Sequence, residues 1–167
     1  HHREITYSFV CSKKDIGDSD TTLVSFRKIC SFLIEFYRCL GLSANFALES
    51  EFFNQRSLPN NLCSASYEKY DIMINGKKIG GNAQKRTRQA VFQHGSIPLS
   101  VDWNYLRRYL KNLPFDISEK VTTLSEELKI IPDIDILEDF LIKSFAGSFE
   151  AEFELTEGYF YETILAE

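Results

Sequence analysis

The chain has no excess of positive charge. Its 19 lysines and arginines stand against 24 acidic residues, which gives a net charge of −5. A protein of this sign has no overall field that attracts nucleic acid or an anionic membrane. The sequence also lacks an uncharged apolar run near the roughly 18 residues of a membrane-spanning helix, and its N-terminus does not have the residue order of a signal peptide. We therefore expect a cytoplasmic protein that binds neither nucleic acid nor membrane.

Paired cysteine motifs are missing as well. The four cysteines, Cys11, Cys30, Cys39 and Cys63, form no CxxC pair, and such pairs are typical of zinc sites and redox-active motifs. We expect neither a metal site nor a disulfide framework. Free cysteines are usually small buried residues, and we assign Cys11, Cys30 and Cys39 to that class. Cys63 differs because its neighbours are polar, which favours exposure.

The residues that are present suffice for one hydrophobic core. The 167 residues are 44% hydrophobic and 14% aromatic, enough for a single domain. Alternation over Ile5–Cys11 predicts a strand that starts at once. Apolar residues recur every three or four positions from Leu23 to Leu40, and Gly41 follows, which predicts an amphipathic helix with a glycine stop. Asn75-Gly76 is a strong signal for a tight hairpin.

Similar arguments place the other elements. We predict strands at 45–48, 70–74, 77–79, 91–99 (interrupted at His94-Gly95) and 149–155, helices at 103–110, 119–128, 134–145 and 158–166, and a loop at 49–61. Asp102 and Thr156 are the predicted caps of the first and last of these helices. Strands and helices alternate irregularly around a hairpin, which favours a mixed α+β fold with largely antiparallel sheets packed against helices.

The stretch with the most chemical content follows the predicted hairpin. Gly80, Gly81, Asn82 and Ala83 are small residues that leave a strand, so a ligand can approach their backbone amides closely. Lys78 stands immediately before them. A lysine in this place can hold a phosphate or carboxylate, or favour the thiolate form of a nearby cysteine. A glycine-containing turn flanked by solvated lysines is the simpler alternative for so short a motif.

Two longer blocks carry a family resemblance. The patterns Gly-(Lys/Arg)-Lys-(Ile/Val)-x-Gly-(Ser/Asn)-Ala and (Gln/His)-His-Gly-(Ser/Thr)-(Ile/Leu) stand here at Gly76–Ala83 and Gln93–Ile97. Their order and spacing resemble the lipoate-protein ligase A and octanoyltransferase family, and His2–Ser8 and Val121–Glu126 resemble further blocks of that family. The family's Arg-Arg-x-(Thr/Ser)-Gly-Gly loop is not found before His2. We therefore expect a single biotin/lipoate protein ligase-like catalytic domain over residues 1–167, entered partway through.

This resemblance implies an acyltransferase or ligase of protein lipoylation. Such an enzyme attaches an octanoyl or lipoyl group to a lysine of a lipoyl carrier, either glycine-cleavage H protein or a dehydrogenase E2 domain. One branch takes the acyl group from acyl carrier protein as a cysteine thioester and needs no cofactor, and Cys63 stands where that branch has its nucleophile. The other branch forms an acyl adenylate with ATP and Mg²⁺. Cys63 favours the transferase; a ligase and a non-catalytic accessory member are the alternatives.

The resemblance also implies roles for individual residues. Cys63 and Lys78 are the expected catalytic residues, and the expected acyl- or adenylate-binding residues are Asp71, Gly80, Gly81, Asn82, Ala83, His94 and Gly95. A buried histidine bonded to backbone is an alternative for His94. Three further residues form either a solvated face or a docking site for acidic carriers: Lys85, Arg86 and Arg88. Three apolar residues line either an acyl tunnel or the core: Ile72, Ile74 and Phe92.

Overall fold

The computed structural model of the chain describes residues 3–17, 22–49, 68–109, 117–156 and 160–165. Its strands are β1 (Glu4–Ser12), β2 (Ala44–Phe46), β3 (Ile72–Ile74), β4 (Lys77–Ile79), β5 (Gly81–Arg86), β6 (Ala90–Pro98), β7 (Val121–Thr122), β8 (Ala151–Thr156) and β9 (Phe160–Leu165). Its α-helices are α1 (Thr22–Cys39), α2 (Trp103–Tyr109), α3 (Ile117–Lys120), α4 (Leu124–Glu127) and α5 (Ile134–Phe149), and a 3₁₀ turn spans Ala47–Glu49. None of the described helices is long and apolar enough to cross a membrane.

The first sheet has three antiparallel strands in the order β1-β6-β5. Its strands alternate between inward and outward residues, as a sheet with one covered face requires. On β6 the inward residues Val91, Gln93 and Ile97 are buried, whereas the intervening Phe92 and His94 are exposed. The outer face of this sheet therefore remains open to solvent in the described part of the chain.

The second sheet has the order β2-β3-β4-β7. Strands β3 and β4 form the hairpin predicted at Asn75-Gly76, and both turn residues have positive φ, 50° and 78°. A type I′ turn requires this geometry, which explains the asparagine-glycine pair. Strand β7 pairs in parallel with β4, so β4 lies between two neighbours and its central residue is covered. Strands β8 and β9 form a separate antiparallel ladder.

Helix α1 supplies the centre of the core. Its buried apolar residues are Ile29, Cys30, Phe32, Leu33, Phe36 and Tyr37. Phe32 makes edge-to-face contacts with Tyr7 and Phe145, at ring-centroid distances of 5.2 Å each. Aromatic edges and faces attract one another through their quadrupoles. The cluster thus joins β1 to α1 and α5.

Several predicted elements are confirmed: the first strand, the helix that stops before Gly41, the central hairpin and the long helix from Ile134. Gly41 has a φ of 76°, which is the left-handed conformation expected after a helix. The Asp102 carboxylate accepts a hydrogen bond from the Tyr105 amide at 3.0 Å, as predicted for a helix cap. The mixed α+β class is confirmed. Apart from Glu49, the loop predicted at 49–61 lies outside the described residues.

Other predictions are wrong. The helix predicted at 119–128 is divided by β7, because Val121 and Thr122 pair with β4; the Thr123 amide then donates to the Glu126 carboxylate at 3.1 Å where α4 begins. Residues 160–165 form strand β9 rather than a helix, because their backbone pairs with β8. Strand β6 runs through His94-Gly95 without interruption. The strand predicted at 45–48 ends at Phe46.

Truncating Phe32 should weaken the fold strongly. Its side chain is fully covered and contacts rings from two other elements, so Phe32→Ala leaves a cavity. We expect a loss of about 3–5 kcal/mol in the free energy of unfolding, measured by urea denaturation. Ile130→Ala is the matched control, because Ile130 is 84% exposed, and its effect should stay within about 0.5 kcal/mol. Equal losses for the two variants would contradict this assignment of the core.

Candidate active site

A buried ion pair lies in the middle of the second sheet. Lys78 is the central residue of β4, and its Nζ lies 2.8 Å from Oδ2 of Asp71, which precedes β3. Both residues are buried, with 6% and 8% of their surfaces exposed. A lysine rarely occupies such a place unless it is paired. Lys78 therefore presents a cation inside the protein.

The carboxylate of Asp71 is held by the backbone around it. The Glu68 amide donates to Asp71 Oδ2 at 2.7 Å, and the Asp71 amide donates to the Glu68 carbonyl at 3.1 Å. The Ala47 amide donates to the Asp71 carbonyl at 2.8 Å. Since the same carboxylate oxygen serves Lys78 and Glu68, the ion pair is tied to the position where residues 50–67 rejoin the described chain.

The neighbouring lysine has a different environment. Lys77 Nζ donates to the Ser118 carbonyl at 2.9 Å, and Lys77 is half-buried. Successive side chains of a strand point to opposite faces, so Lys77 and Lys78 cannot serve the same site. The alternative of a turn flanked by solvated lysines is wrong for Lys78, which is buried.

Gly80 connects the two sheets. Its φ is 74°, and a Cβ atom there would lie 2.2 Å from the Ser96 carbonyl oxygen. Only glycine fits this conformation and this contact. A Cβ on Gly81 would meet no atom within 4 Å. Gly80 thus has a structural role that accounts for it without a ligand.

The open run of amides predicted at residues 80–83 is instead mostly a strand. Gly81, Asn82 and Ala83 pair with Ser96, Gly95 and His94 in an antiparallel ladder. In such a ladder, alternate backbone amides bond to the neighbouring strand and the others point away. Only part of this backbone therefore remains available for a ligand. Strand β5 was not predicted, because glycine and asparagine have low strand propensity.

The side chain of Asn82 belongs to a partly buried polar network. The Tyr7 hydroxyl donates to Asn82 Oδ1 at 2.6 Å, and Gln93 Nε2 donates to the Tyr7 oxygen at 3.3 Å. Gly95 makes room for this arrangement, because a Cβ there would lie 2.3 Å from Asn82 Oδ1 and 2.6 Å from the Tyr7 hydroxyl. Burial raises the pKa of Tyr7 far above its ordinary value, so the phenol keeps the proton that it donates. Among the described residues, Asn82 Nδ2 has no partner.

The same network continues along β5 toward α1. Gln84 Nε2 donates to the Gln93 carboxamide oxygen at 3.2 Å, and the Ser25 hydroxyl donates to Gln84 at 3.3 Å. Arg86 in turn donates to Ser25. Gln93 is fully buried, so these bonds satisfy polar groups that would otherwise be costly. The polar network of Tyr7 and Gln93 was not predicted, although a glutamine at an inward position of an apolar strand is a signal present in the sequence.

The other predicted site residues lie in different places. His94 is exposed on the outer face of the first sheet, so the alternative of a buried histidine is wrong. Phe92 lies on that outer face too, with 42% of its surface exposed. Ile72 and Ile74 are each 1% exposed and belong to the core. Cys63 lies outside the described residues.

The three described cysteines differ in exposure. Cys30 is buried, as expected, and burial raises the pKa of its thiol to about 12. Cys11 is only half-buried, and burial together with Asp15 raises its thiol pKa to about 11. The expectation of burial is wrong for Cys39, which is exposed because it lies in the last turn of α1. Neither Cys11 nor Cys30 is a good source of thiolate near neutral pH.

Breaking the buried pair from one side should cost more than removing both charges. Asp71→Asn or Lys78→Met removes one charge of the pair and leaves the other buried, and each should lower the free energy of unfolding by about 3–5 kcal/mol. The double variant should lose less than either single variant. Urea denaturation of the four proteins measures this coupling.

The chain offers a matched control in an exposed pair of similar geometry. Lys143 Nζ lies 2.6 Å from Asp139 Oδ2, and these side chains are 70% and 53% exposed. Asp139→Asn should change stability by about 1 kcal/mol or less. Additive losses at Asp71 and Lys78 would contradict the pairing described above.

The chain is similar to proteins of a known family. Residues 1–146 match the family model described as the lipoyl protein ligase A/B catalytic domain. An octanoyltransferase LipM from Bacillus cereus is 29% identical over 180 aligned positions, which cover 97% of this chain and 63% of that protein. An octanoyltransferase LipM from Kyrpidia tusciae is 39% identical over 104 positions, covering 61% of this chain and 38% of that protein. The chain thus spans less than two thirds of the length of these relatives.

Solved structures share the fold. A crystal structure of lipoate-protein ligase A bound with ATP superposes with a TM-score of 0.67 and 26% identity, covering 92% of this chain and 56% of that one. A biotin protein ligase from Aquifex aeolicus superposes with a TM-score of 0.56 at 12% identity, covering 88% of this chain and 53% of that one. The second likeness concerns the fold alone. Because the family model matches most of this chain and the fold agrees, the chain belongs to the lipoyl protein ligase A/B catalytic domain family.

Proposed function

We propose that this protein acts in protein lipoylation as an octanoyltransferase that passes the acyl group through a thioester on Cys63. The observation that carries the proposal is the buried Lys78–Asp71 pair. The Asp71 carboxylate also accepts a hydrogen bond from the Glu68 amide, which ties the pair to the part of the chain that follows Cys63. Cys63 precedes Glu68 by five residues, so covalent connectivity keeps their Cα atoms within about 18 Å. Relatives over nearly the whole chain carry the name octanoyltransferase.

Lys78 would serve the reaction through its charge. A cation close to a thiol favours the thiolate, which is the nucleophilic form of cysteine. The thiolate attacks the carbonyl of octanoyl-acyl carrier protein, a new sulfur–carbon bond forms, and the carrier leaves as a thiol after taking up a proton. The neutral amine of the acceptor lysine then attacks the Cys63 thioester. An amide forms, the bond to Cys63 breaks, and the Cys63 thiol is restored.

Each of these steps passes through a tetrahedral oxyanion. Donors held in advance lower the energy of such a species more than donors that must reorient. The Asn82 carboxamide is a candidate donor, because Tyr7 fixes its oxygen while its Nδ2 has no partner among the described residues. Gly95 supports this role indirectly by leaving space for both side chains.

The acceptor in this proposal is a lipoyl carrier, either glycine-cleavage H protein or an E2 lipoyl domain, in the cytoplasm. A bi-partite lipoate protein ligase from Thermoplasma acidophilum was analysed together with its E2 lipoyl domain, and it has the same fold, with a TM-score of 0.61. The transferred chain is octanoyl or lipoyl. These carriers are proposed because of the family to which the chain belongs, not because of a contact in this structure.

The thioester is tested directly by mass spectrometry. After incubation with octanoyl-acyl carrier protein, the peptide that contains Cys63 should gain one octanoyl group, and hydroxylamine should remove it. Cys63→Ser should abolish the adduct, whereas the control Cys39→Ser should leave it unchanged, because Cys39 is exposed on α1. An octanoyl adduct on another cysteine, or transfer that survives Cys63→Ser, would rule the proposed intermediate out.

Lipoate-protein ligase activity is the second candidate, favoured by the likeness to the ATP-bound ligase. The Lys78 ammonium can pair with a carboxylate or phosphate, whereas the described residues contain no group of three or more side chains that could hold a metal ion. ATP would supply the activation of the free acid. Modification of a lipoyl domain that requires ATP and Mg²⁺ and survives Cys63→Ala would establish the ligase in place of the transferase. Failure of both assays would leave the accessory role.

Removing the Asn82 carboxamide should lower the rate of acyl transfer. Loss of one oxyanion donor typically lowers turnover by about 10²–10³-fold, and we expect Asn82→Ala to fall in this range in a single-turnover assay. Tyr7→Phe should give a smaller loss, because the donor remains while its positioning bond is gone. Equal rates for Asn82→Ala and the unmodified protein would exclude Asn82 as a donor.

A further inference from the structure

One stretch of this acidic protein contains no negative charge. Residues 72–101 contain five lysines and arginines and no aspartate or glutamate, which gives this stretch a charge of +5. The other 137 residues carry 14 cations against 24 acids, a net charge of −10. Such segregation in a small domain produces a local field that differs in sign from the field of the whole protein.

Two of these cations lie at one end of the first sheet. Lys85 on β5 and Arg88 in the turn between β5 and β6 are exposed, and neither has an ion-pair partner among the described residues. The Lys13 amide donates to the Gln89 carbonyl at 3.3 Å, which brings a second turn, with Lys13 and Lys14, next to the first. Asp15 is the acid of that turn, and its carboxylate accepts the Ser12 amide at 2.6 Å.

Apolar side chains lie beside these cations on the outer face of the sheet. Val10, Phe92 and Lys85 occupy one rung across β1, β6 and β5. Val10 is 67% exposed and Phe92 is 42% exposed. Exposed apolar residues with polar or charged side chains around them are typical of protein interfaces. We call Val10, Lys13, Lys85, Arg88 and Phe92 the hairpin surface.

Strand β5 connects the hairpin surface to Lys78. The strand begins at Gly81, three residues after Lys78, and ends at Arg86, beside the turn between β5 and β6. Six residues in a strand extend over roughly 17 Å. A partner docked on the hairpin surface must therefore deliver its reactive group over a comparable distance. A carrier with its acyl group on a long prosthetic arm meets this requirement, whereas a lipoyl domain offers only a lysine side chain, which is much shorter.

We infer that the hairpin surface docks the acidic acyl carrier protein that donates the acyl group, with its prosthetic arm extended along β5 toward Lys78. This inference rests on the proposed function. Opposite charges on the two proteins steer their encounter and raise the association rate, an effect that salt screens. Val10 and Phe92 would be covered in the complex and would slow its dissociation.

Charge reversal at the hairpin surface tests the inference. Lys85→Glu/Arg88→Glu should lower the second-order rate constant for acylation by octanoyl-acyl carrier protein by about 10-fold or more at low salt, and it should flatten the dependence of that rate on salt. The matched control is Lys129→Glu/Lys143→Glu, which makes the same change in net charge at exposed sites elsewhere. Its rate should stay within about threefold of the unmodified protein. Equal losses in the two double variants would overturn the docking site.

Two further measurements separate this inference from the proposed function. Octanoyl-pantetheine carries the thioester without the acidic protein, so it should acylate the Lys85→Glu/Arg88→Glu variant and the unmodified protein at equal rates. Calorimetric binding of acyl carrier protein does not depend on turnover; the variant should bind about 10-fold or more weakly, and Lys85→Gln/Arg88→Gln should show a smaller loss. Unchanged binding overturns the inference even where acylation occurs. Weakened binding of a lipoyl domain instead would assign the surface to the acceptor.

Discussion

The buried pair between Lys78 and Asp71 is the interaction on which the rest of the site depends. Taking two charges out of water is costly, and the attraction between them compensates only when the geometry is tight and the remaining polar groups are satisfied. Here β4 is enclosed by β3 on one side and β7 on the other, and the Glu68 amide occupies the same carboxylate oxygen as the lysine. The sheet order, the hairpin turn and the return of the chain at Glu68 all serve to hold one ammonium group in an interior position.

The first sheet meets a different physical demand. A row of polar side chains, from Asn82 to Arg86, faces α1 where apolar residues would be the ordinary choice. Such a network is tolerated only when its members satisfy one another, and the fully buried Gln93 links Tyr7 with Gln84. The two sheets therefore contribute a cation and a fixed carboxamide respectively, and Gly80 joins the two.

Elements with strong local signals were predictable from the sequence. Three local patterns each predicted an element correctly: the alternation of β1, the periodicity of α1 and the asparagine-glycine turn. The errors fall where partners distant in sequence decide the conformation. β5 contains glycine and asparagine and is a strand because β6 lies beside it; Val121 and Thr122 leave a helical pattern because β4 offers them a neighbour. The motif directed attention to Lys78 and Asp71 separately, but their ion pair was not predicted. The Tyr7–Gln93 contact could not be foreseen, because it joins residues 86 positions apart.

The way in which residues 50–67 leave and rejoin the fold has an evolutionary consequence. The Leu48 amide bonds to the Lys69 carbonyl at 2.9 Å and the Ala47 amide to the Asp71 carbonyl at 2.8 Å, so both ends of this segment are fastened at one point. The entropy cost of joining two fixed ends grows slowly with the number of residues between them, by about 0.6 kcal/mol for each doubling. Insertions and deletions between Glu49 and Glu68 can therefore accumulate while the interior lysine stays in place.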